Sequence, residues 1–212
     1  PANHPMSADD GLANINGTLY FRANDGLSGF ELWKSDGTAA GTALVKDLWP
    51  GANTGHPNQL TNVNGVLYFS AQASASRFEL WKSDGTAAGT AIVKEFTGPA
   101  SAGFSPSGLT NVNGTLFFVS NDITHGTELW KSDGTEAGTV MVKETIASTN
   151  HTGPTQLTNV NGTLFFMTGA NHNELWKSDG TDAGTALVRG GLGQQFTSSR
   201  PADLTAAGST LY

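Results

Sequence analysis

The sequence predicts an all-β fold assembled from repeated sheets, and three observations carry that expectation. The string ELWKSDGT occurs four times, at 31–38, 79–86, 128–135 and 174–181, with spacings of 48, 49 and 46 residues. Gly supplies 27 of 212 residues and charged side chains only 14%, a composition of short strands and tight turns. No apolar run follows the i, i+3, i+4, i+7 spacing of an amphipathic helix.

A second element, LTNVNGTLYF in outline, precedes each ELWKSDGT at Leu12, Leu60, Leu109 and Leu157, and returns in degraded form over 204–212. The units therefore run approximately 12–59, 60–108, 109–156 and 157–203, with a partial fifth over 204–212. The chain from 1 to 212 reads as a single repeat domain. Its last residues, Leu211 and Tyr212, fall inside an aromatic strand, so the expectation is a segment of a longer array.

Each unit holds four segments of strand character. The first, LTNV, ends at Asn-Gly (Asn64-Gly65, Asn113-Gly114, Asn161-Gly162), which supplies the two positive φ angles of a type I′ hairpin. The second is the aromatic TLYF or TLFF. The third, ELWKS, ends at Asp-Gly-Thr, where Asp36, Asp84, Asp133 and Asp179 can bond their own backbone. Gly37, Gly85, Gly134 and Gly180 there can take φ > 0. The fourth follows Ala-Gly-Thr as ALVKD, AIVKE, VMVKE or ALVRG.

Four antiparallel strands in about 48 residues match one blade of a β-propeller, and one such sheet cannot bury both faces unaided. Neighbouring blades must stack. Trp33, Trp81, Trp130 and Trp176 are then expected to pack between blades, and Glu31, Lys34 and their equivalents to pair across strands or blades.

All four copies keep Glu, Leu, Trp, Asp, Gly and Thr in register and continue into Ala-Gly-Thr at Ala40, Ala88, Ala137 and Ala183. This motif resembles the ELWxxDGT repeat family of bacterial, mostly exported or surface proteins, over essentially the whole chain. The resemblance implies a propeller-type array outside the cell or at its surface, and carries no assigned activity. The fifth unit departs from it, with Ala206-Ala207-Gly208 in place of Asn-Val-Asn-Gly, which leaves ring closure open.

Charge and composition narrow the partners. A net charge of −7 with only 11 Lys plus Arg offers no cationic field for nucleic acid. No run of 18 apolar residues occurs, so no transmembrane helix is expected. Cysteine is absent, which excludes disulfides and thiolate-bound metal without fixing a compartment.

Chemistry of other kinds finds no support. His4, His56, His125, His151 and His172 are scattered in loops without metal-ligand spacing, and Asp9-Asp10-Gly11 and Asn24-Asp25-Gly26 are too short for a calcium loop. No nucleophile elbow, P-loop or dinucleotide fingerprint occurs, and the repeated KSDG serines have no recurring histidine. The sequons at Asn16, Asn113, Asn150 and Asn161 coincide, in three cases, with hairpin Asn-Gly. No enzyme activity, cofactor or metal is therefore expected.

The Asn-Gly and SDGTxAGT turns, on one face of such an array, are nearly invariant, whereas RANDGLSGF, AQASASRF and VSNDITHGT on the other vary. Invariant turns serve folding, or each is one site of a multivalent carbohydrate-binding propeller. The reading adopted is a non-enzymatic structural or adhesive scaffold, able to form homo-oligomers or filaments by strand complementation through open blade edges, with a surface glycan or protein as a further partner.

Overall fold

The computed structural model describes residues 11–75, 77–96, 105–145, 153–169, 174–192 and 204–212. Every regular element among them is a β-strand. The chain divides into two compact units, Pro1–Glu95 and Phe96–Tyr212.

The first unit holds two four-stranded antiparallel sheets with strands in sequence order. The first sheet is β1 (Leu12–Ile15), β2 (Thr18–Asn24), β3 (Phe30–Ser35) and β4 (Ala43–Lys46). The second is β5 (Asn58–Val63), β6 (Val66–Ser74), β7 (Arg77–Ser83) and β8 (Ala91–Lys94). The second unit repeats the plan. Its first sheet is β9 (Ser107–Val112), β10 (Thr115–Asp122), β11 (Gly126–Ser132) and β12 (Val140–Lys143). Its next is β13 (Thr155–Val160), β14 (Thr163–Thr168), β15 (Glu174–Ser178) and β16 (Ala186–Arg189). A hairpin follows, β17 (Ala206–Ala207) with β18 (Thr210–Leu211).

The hairpin chemistry explains why strands one and two are neighbours. Asn16, Asn64, Asn113 and Asn161 sit at φ 49–52° and the glycines after them at 83–86°, the paired left-handed geometry of a type I′ turn. The preceding Asn of each motif closes the turn, as in Asn62 Oδ1 accepting the Gly65 N–H at 2.9 Å.

In the second, third and fourth sheets the first strand begins two residues earlier than the apolar run suggests. Gly11, Gln59, Gly108 and Gln156 all carry positive φ, and the register shifts beside Gln59, Gly108 and Gln156. The Thr two residues on reaches back to hold each of these bulges: Thr61, Thr110 and Thr158 donate to the carbonyls of Gln59, Gly108 and Gln156 at 2.9 Å. A left-handed Gln costs about 1–2 kcal/mol, so surrounding structure imposes this conformation.

Within each unit the front face of one sheet packs on the back face of the next. In the first unit Tyr20, Leu32 and Val45 meet Leu67, Phe69, Ala71 and Trp81 in one buried cluster. In the second, Phe117, Leu129 and Val142 meet Leu164 and Phe166, with Trp176 packed against them. Neighbouring sheets come closest along their first strands, β1 with β5 and β9 with β13. The bridging side chains lengthen accordingly. Asn62 and Asn159 span the first strands, donating to the carbonyls of Asn14 and Asn111 at 3.2 and 2.9 Å. Lysines span the third: Lys34 and Lys131 donate to the carbonyls of Gly85 and Gly180 at 2.8 and 2.7 Å.

Gly17 lies at φ 85° with open space where a Cβ would stand, so its substitution isolates the backbone term. Gly17→Ala is expected to lower stability by about 1 kcal/mol, read from urea unfolding followed by tryptophan fluorescence.

Candidate functional site

The invariant turn is the natural candidate, and its geometry is the same in all four copies. Asp36 Oδ1 accepts from the Thr38 N–H at 2.9 Å and the Thr38 hydroxyl at 2.7 Å. Thr38 Oγ1 in turn accepts the Gly41 N–H at 2.9 Å, and Thr42 Oγ1 donates to the Thr38 carbonyl at 2.7 Å. Ser35 Oγ lies 2.7 Å from Thr42 Oγ1 and accepts the Gly37 N–H, tying the ends of strands three and four together. The turns at Asp84, Asp133 and Asp179 repeat the clasp with distances that differ by no more than 0.2 Å.

The Ser, Asp, Gly and Thr residues of SDGTxAGT thus each have a local reason. Gly37, Gly85, Gly134 and Gly180 lie at φ 87–91°. Gly85 also backs onto the Tyr20 hydroxyl of the sheet before it, and Gly180 onto the Phe117 ring. Gly41, Gly89, Gly138 and Gly184 are needed for a different reason: a Cβ on any of them would overlap the carboxylate of the clasping Asp. The Thr hydroxyl bond, with the backbone N–H behind it, holds the Asp36, Asp84 and Asp179 carboxyls below the ordinary range.

Glu31 and Lys34 do bond across strands and sheets, but to backbone rather than to each other. Glu31 is fully buried, and its carboxylate accepts the N–H groups of Leu48 and Gly55, both at 2.7 Å, anchoring the segment that leads to the second sheet. Glu128, equally buried, accepts the Thr145 N–H and hydroxyl. Glu79 accepts from Ala73, and Glu174 from the Trp176 indole. Burial raises Glu31 to about 7, outweighing the two N–H donors that pull the other way, and raises Glu79 as well.

The tryptophans occupy matched positions. Trp81 and Trp176 stack on Phe69 and Phe166 at 6.2 and 6.4 Å between ring centroids, within the back faces that meet the preceding sheets. Lys46, from the sheet before, places its Nζ 5.9 Å over Trp81. Trp130 meets Phe96 edge-on at 5.3 Å, and Trp33 is half-buried.

The remaining candidates resolve into turns. Asn24 and Asp25 accept N–H groups of Gly26, Leu27 and Ser28. His125 Nδ1 lies 2.9 Å from Asp122 Oδ2, a local pair whose hydrogen bond raises the imidazole pKa. His56 stacks at 6.5 Å on Phe30. His4, His151, His172, Asp9, Asp10 and Asn150 lie outside the described residues. Sequence reasoning passed over the role of the second glycine of the motif, and it foresaw the pairing of the glutamates but not their backbone N–H partners. The signal for the first was the unbroken register of Ala-Gly-Thr in four copies.

No family model and no curated protein sequence matches the chain. Two solved structures of puromycin hydrolase, one of them in complex with PGG, resemble it at TM-scores of 0.54 and 0.53 and 16% identity. The alignments cover 85% and 82% of this chain but only 29% and 27% of the hydrolase. An endo-1,4-β-xylanase from Bacteroides thetaiotaomicron aligns over 88% of this chain and 73% of its own at 15% identity, with a TM-score of 0.40. The likeness to the hydrolase concerns the course of the backbone. The chain spans under a third of the hydrolase's length.

Two outcomes test this account. Gly89→Ala forces the Asp84 carboxylate out of its clasp and is expected to cost about 2–3 kcal/mol in urea unfolding, more than Gly17→Ala. The second concerns pH. Glu31 titrates near 4.5 when unfolded and near 7 when folded. Between those values the unfolded chain binds fewer protons, so stability falls as pH rises through the window and levels off above it. The clasp aspartates, with pKa values lowered from 3.8, act below that window. Urea midpoints from pH 4.5 to 7.5 should show the decline, with a shallower slope in Glu31→Gln; an unchanged slope removes Glu31 as its source.

Proposed function

We propose that the sheets are blades of a β-propeller-type array and that the protein is a non-enzymatic structural or adhesive scaffold acting outside the cell. One observation carries the reading. In all four copies the side chains of the SDGTxAGT turn are engaged in the same self-satisfied clasp, whereas an active site needs unlike environments. Asp, Ser, Thr and both glycines build the clasp, Glu bonds backbone N–H groups or an indole, Lys34 and Lys131 bond the next turn, and Trp81 and Trp176 pack between sheets.

The blade reading is supported by the way sheets diverge within each unit. A short Asn bridges first strands, Phe and Leu fill the space beside second strands, and Trp and Lys reach across at the third. Sheets that splay in this order are wedge-like, which suits radial arrangement. The resemblance to ELWxxDGT repeat proteins supports an exported scaffold, and the backbone likeness to puromycin hydrolase, at 16% identity, bears on fold alone.

Electron microscopy of the native full-length protein, paired with a glycan array, tests the function. Joined rings or filaments together with a blank array are the expected result. Isolated particles that bind a glycan, with binding abolished in folded Asp84→Ala and Asp133→Ala variants, would replace the scaffold with a multivalent lectin.

A further inference from the structure

The front face of the sheet β13–β16 differs from its counterparts in one respect. Leu32, Leu80 and Leu129 are fully buried, yet the equivalent Leu175 is only partly so. Tyr20, Tyr68 and Phe117 are 7%, 6% and 2% exposed, while Phe165 is half-buried. Val45 and Val142 are 5% and 7% exposed; Val188, at the same place in β16, is 47% exposed. Beside them Lys177 and Arg189 are exposed. These are the equivalents of Lys34 and Lys46, which bond the carbonyls of Gly85 and Thr90 in the following sheet, and of Lys131 and Lys143, which bond those of Gly180 and Asp182.

The inner part of this face is already occupied. The β17–β18 hairpin packs on β13, with Leu204 N–H bonded to Gln156 Oε1 at 2.9 Å and the Leu204 carbonyl accepting from Thr158 Oγ1 at 3.2 Å. The residues Gly208-Ser209-Thr210-Leu211-Tyr212 stand where Asn16-Gly17-Thr18-Leu19-Tyr20 stand in the first unit. β17 and β18 thus hold the places of strands one and two, and among the described residues β18 pairs with β17 alone.

We infer that the outer front face of β13–β16, together with the edge of β18, is a docking site for a hairpin of this repeat's own third- and fourth-strand type. The inference rests on the blade reading above. The surface is continuous with the interface that β17 already makes. Its chemistry is complementary to that partner: Phe165 receives a turn glycine, as Phe117 receives Gly180 and Tyr20 receives Gly85. Lys177 receives the glycine's carbonyl, and Arg189 the carbonyls of the following Ala-Gly-Thr region. Leu175 and Val188 are covered by the phenylalanine and tryptophan of the incoming back face. Because the polar contacts fall largely on backbone carbonyls, any unit with an SDGTxAGT turn meets the requirement.

The test extends the full chain, appending a copy of residues 21–46 directly after Tyr212. Hydrogen exchange is then measured on the parent, on the extended chain, and on both carrying Val188→Asp. In the extended chain, exchange at β16 and β18 is expected to slow by about tenfold or more, with loss of the β16 effect in the Val188→Asp version while the parent tolerates that change. Protection of β18 without β16 would show pairing without stacking, and would overturn this inference and the blade reading together. An appended segment that exchanges freely, with both strands unchanged, would overturn the inference alone.

Discussion

A four-stranded sheet with apolar side chains on both faces has no stable existence by itself, and that constraint governs the chain. Leu32 and Tyr20 point one way from the first sheet, Phe69 and Trp81 the other way from the second, and they are buried together in one cluster. Full burial of a side chain of this size is worth about 1.5–3 kcal/mol, so the stacked faces supply the main driving force of each unit. The polar apparatus serves to bring those faces to the right separation. Asn sets it at the first strand and Lys at the third, each bonding a carbonyl rather than a side chain.

The clasp at the end of each third strand solves a related problem. Strands three and four are joined by a connection longer than a two-residue turn, and a loose loop there would carry unpaired backbone groups. Ser, Asp, Gly, Thr, Gly and Thr satisfy one another so completely that four copies superpose in their hydrogen-bond distances to within 0.2 Å. The same turn presents its first glycine to the aromatic of the preceding sheet, so one motif closes a hairpin and prepares an interface.

Much of this was legible in the sequence. Asn-Gly declared its turn because few residues besides Gly tolerate two successive positive φ angles, and Asp-Gly-Thr declared a self-bonded turn through the short reach of Asp. The number and order of strands followed from those punctuation marks. The left-handed Gln59 and Gln156 were not legible, since Gln has no preference for that region; the bulge exists because Thr61 and Thr158 bond back across it. Nor was the role of Glu31. Its partners are the N–H groups of Leu48 and Gly55, which every residue but Pro possesses, so no complementary side chain marks them. The second glycine of each motif was visible as an invariant, but its reason, the carboxylate lying against it, is a distance that spacing cannot express.

The preference of the bridging lysines for carbonyl oxygen has a bearing on how such a gene can change. A junction held together by side chains of complementary identity is broken when its two halves are separated by deletion or insertion. Lys34 asks of the following sheet mainly that a DGT turn place a carbonyl within reach. In-frame loss or doubling of one whole unit therefore brings together two surfaces that never met before yet already fit, and the length of the array can drift under unequal recombination without any step through an unfolded protein.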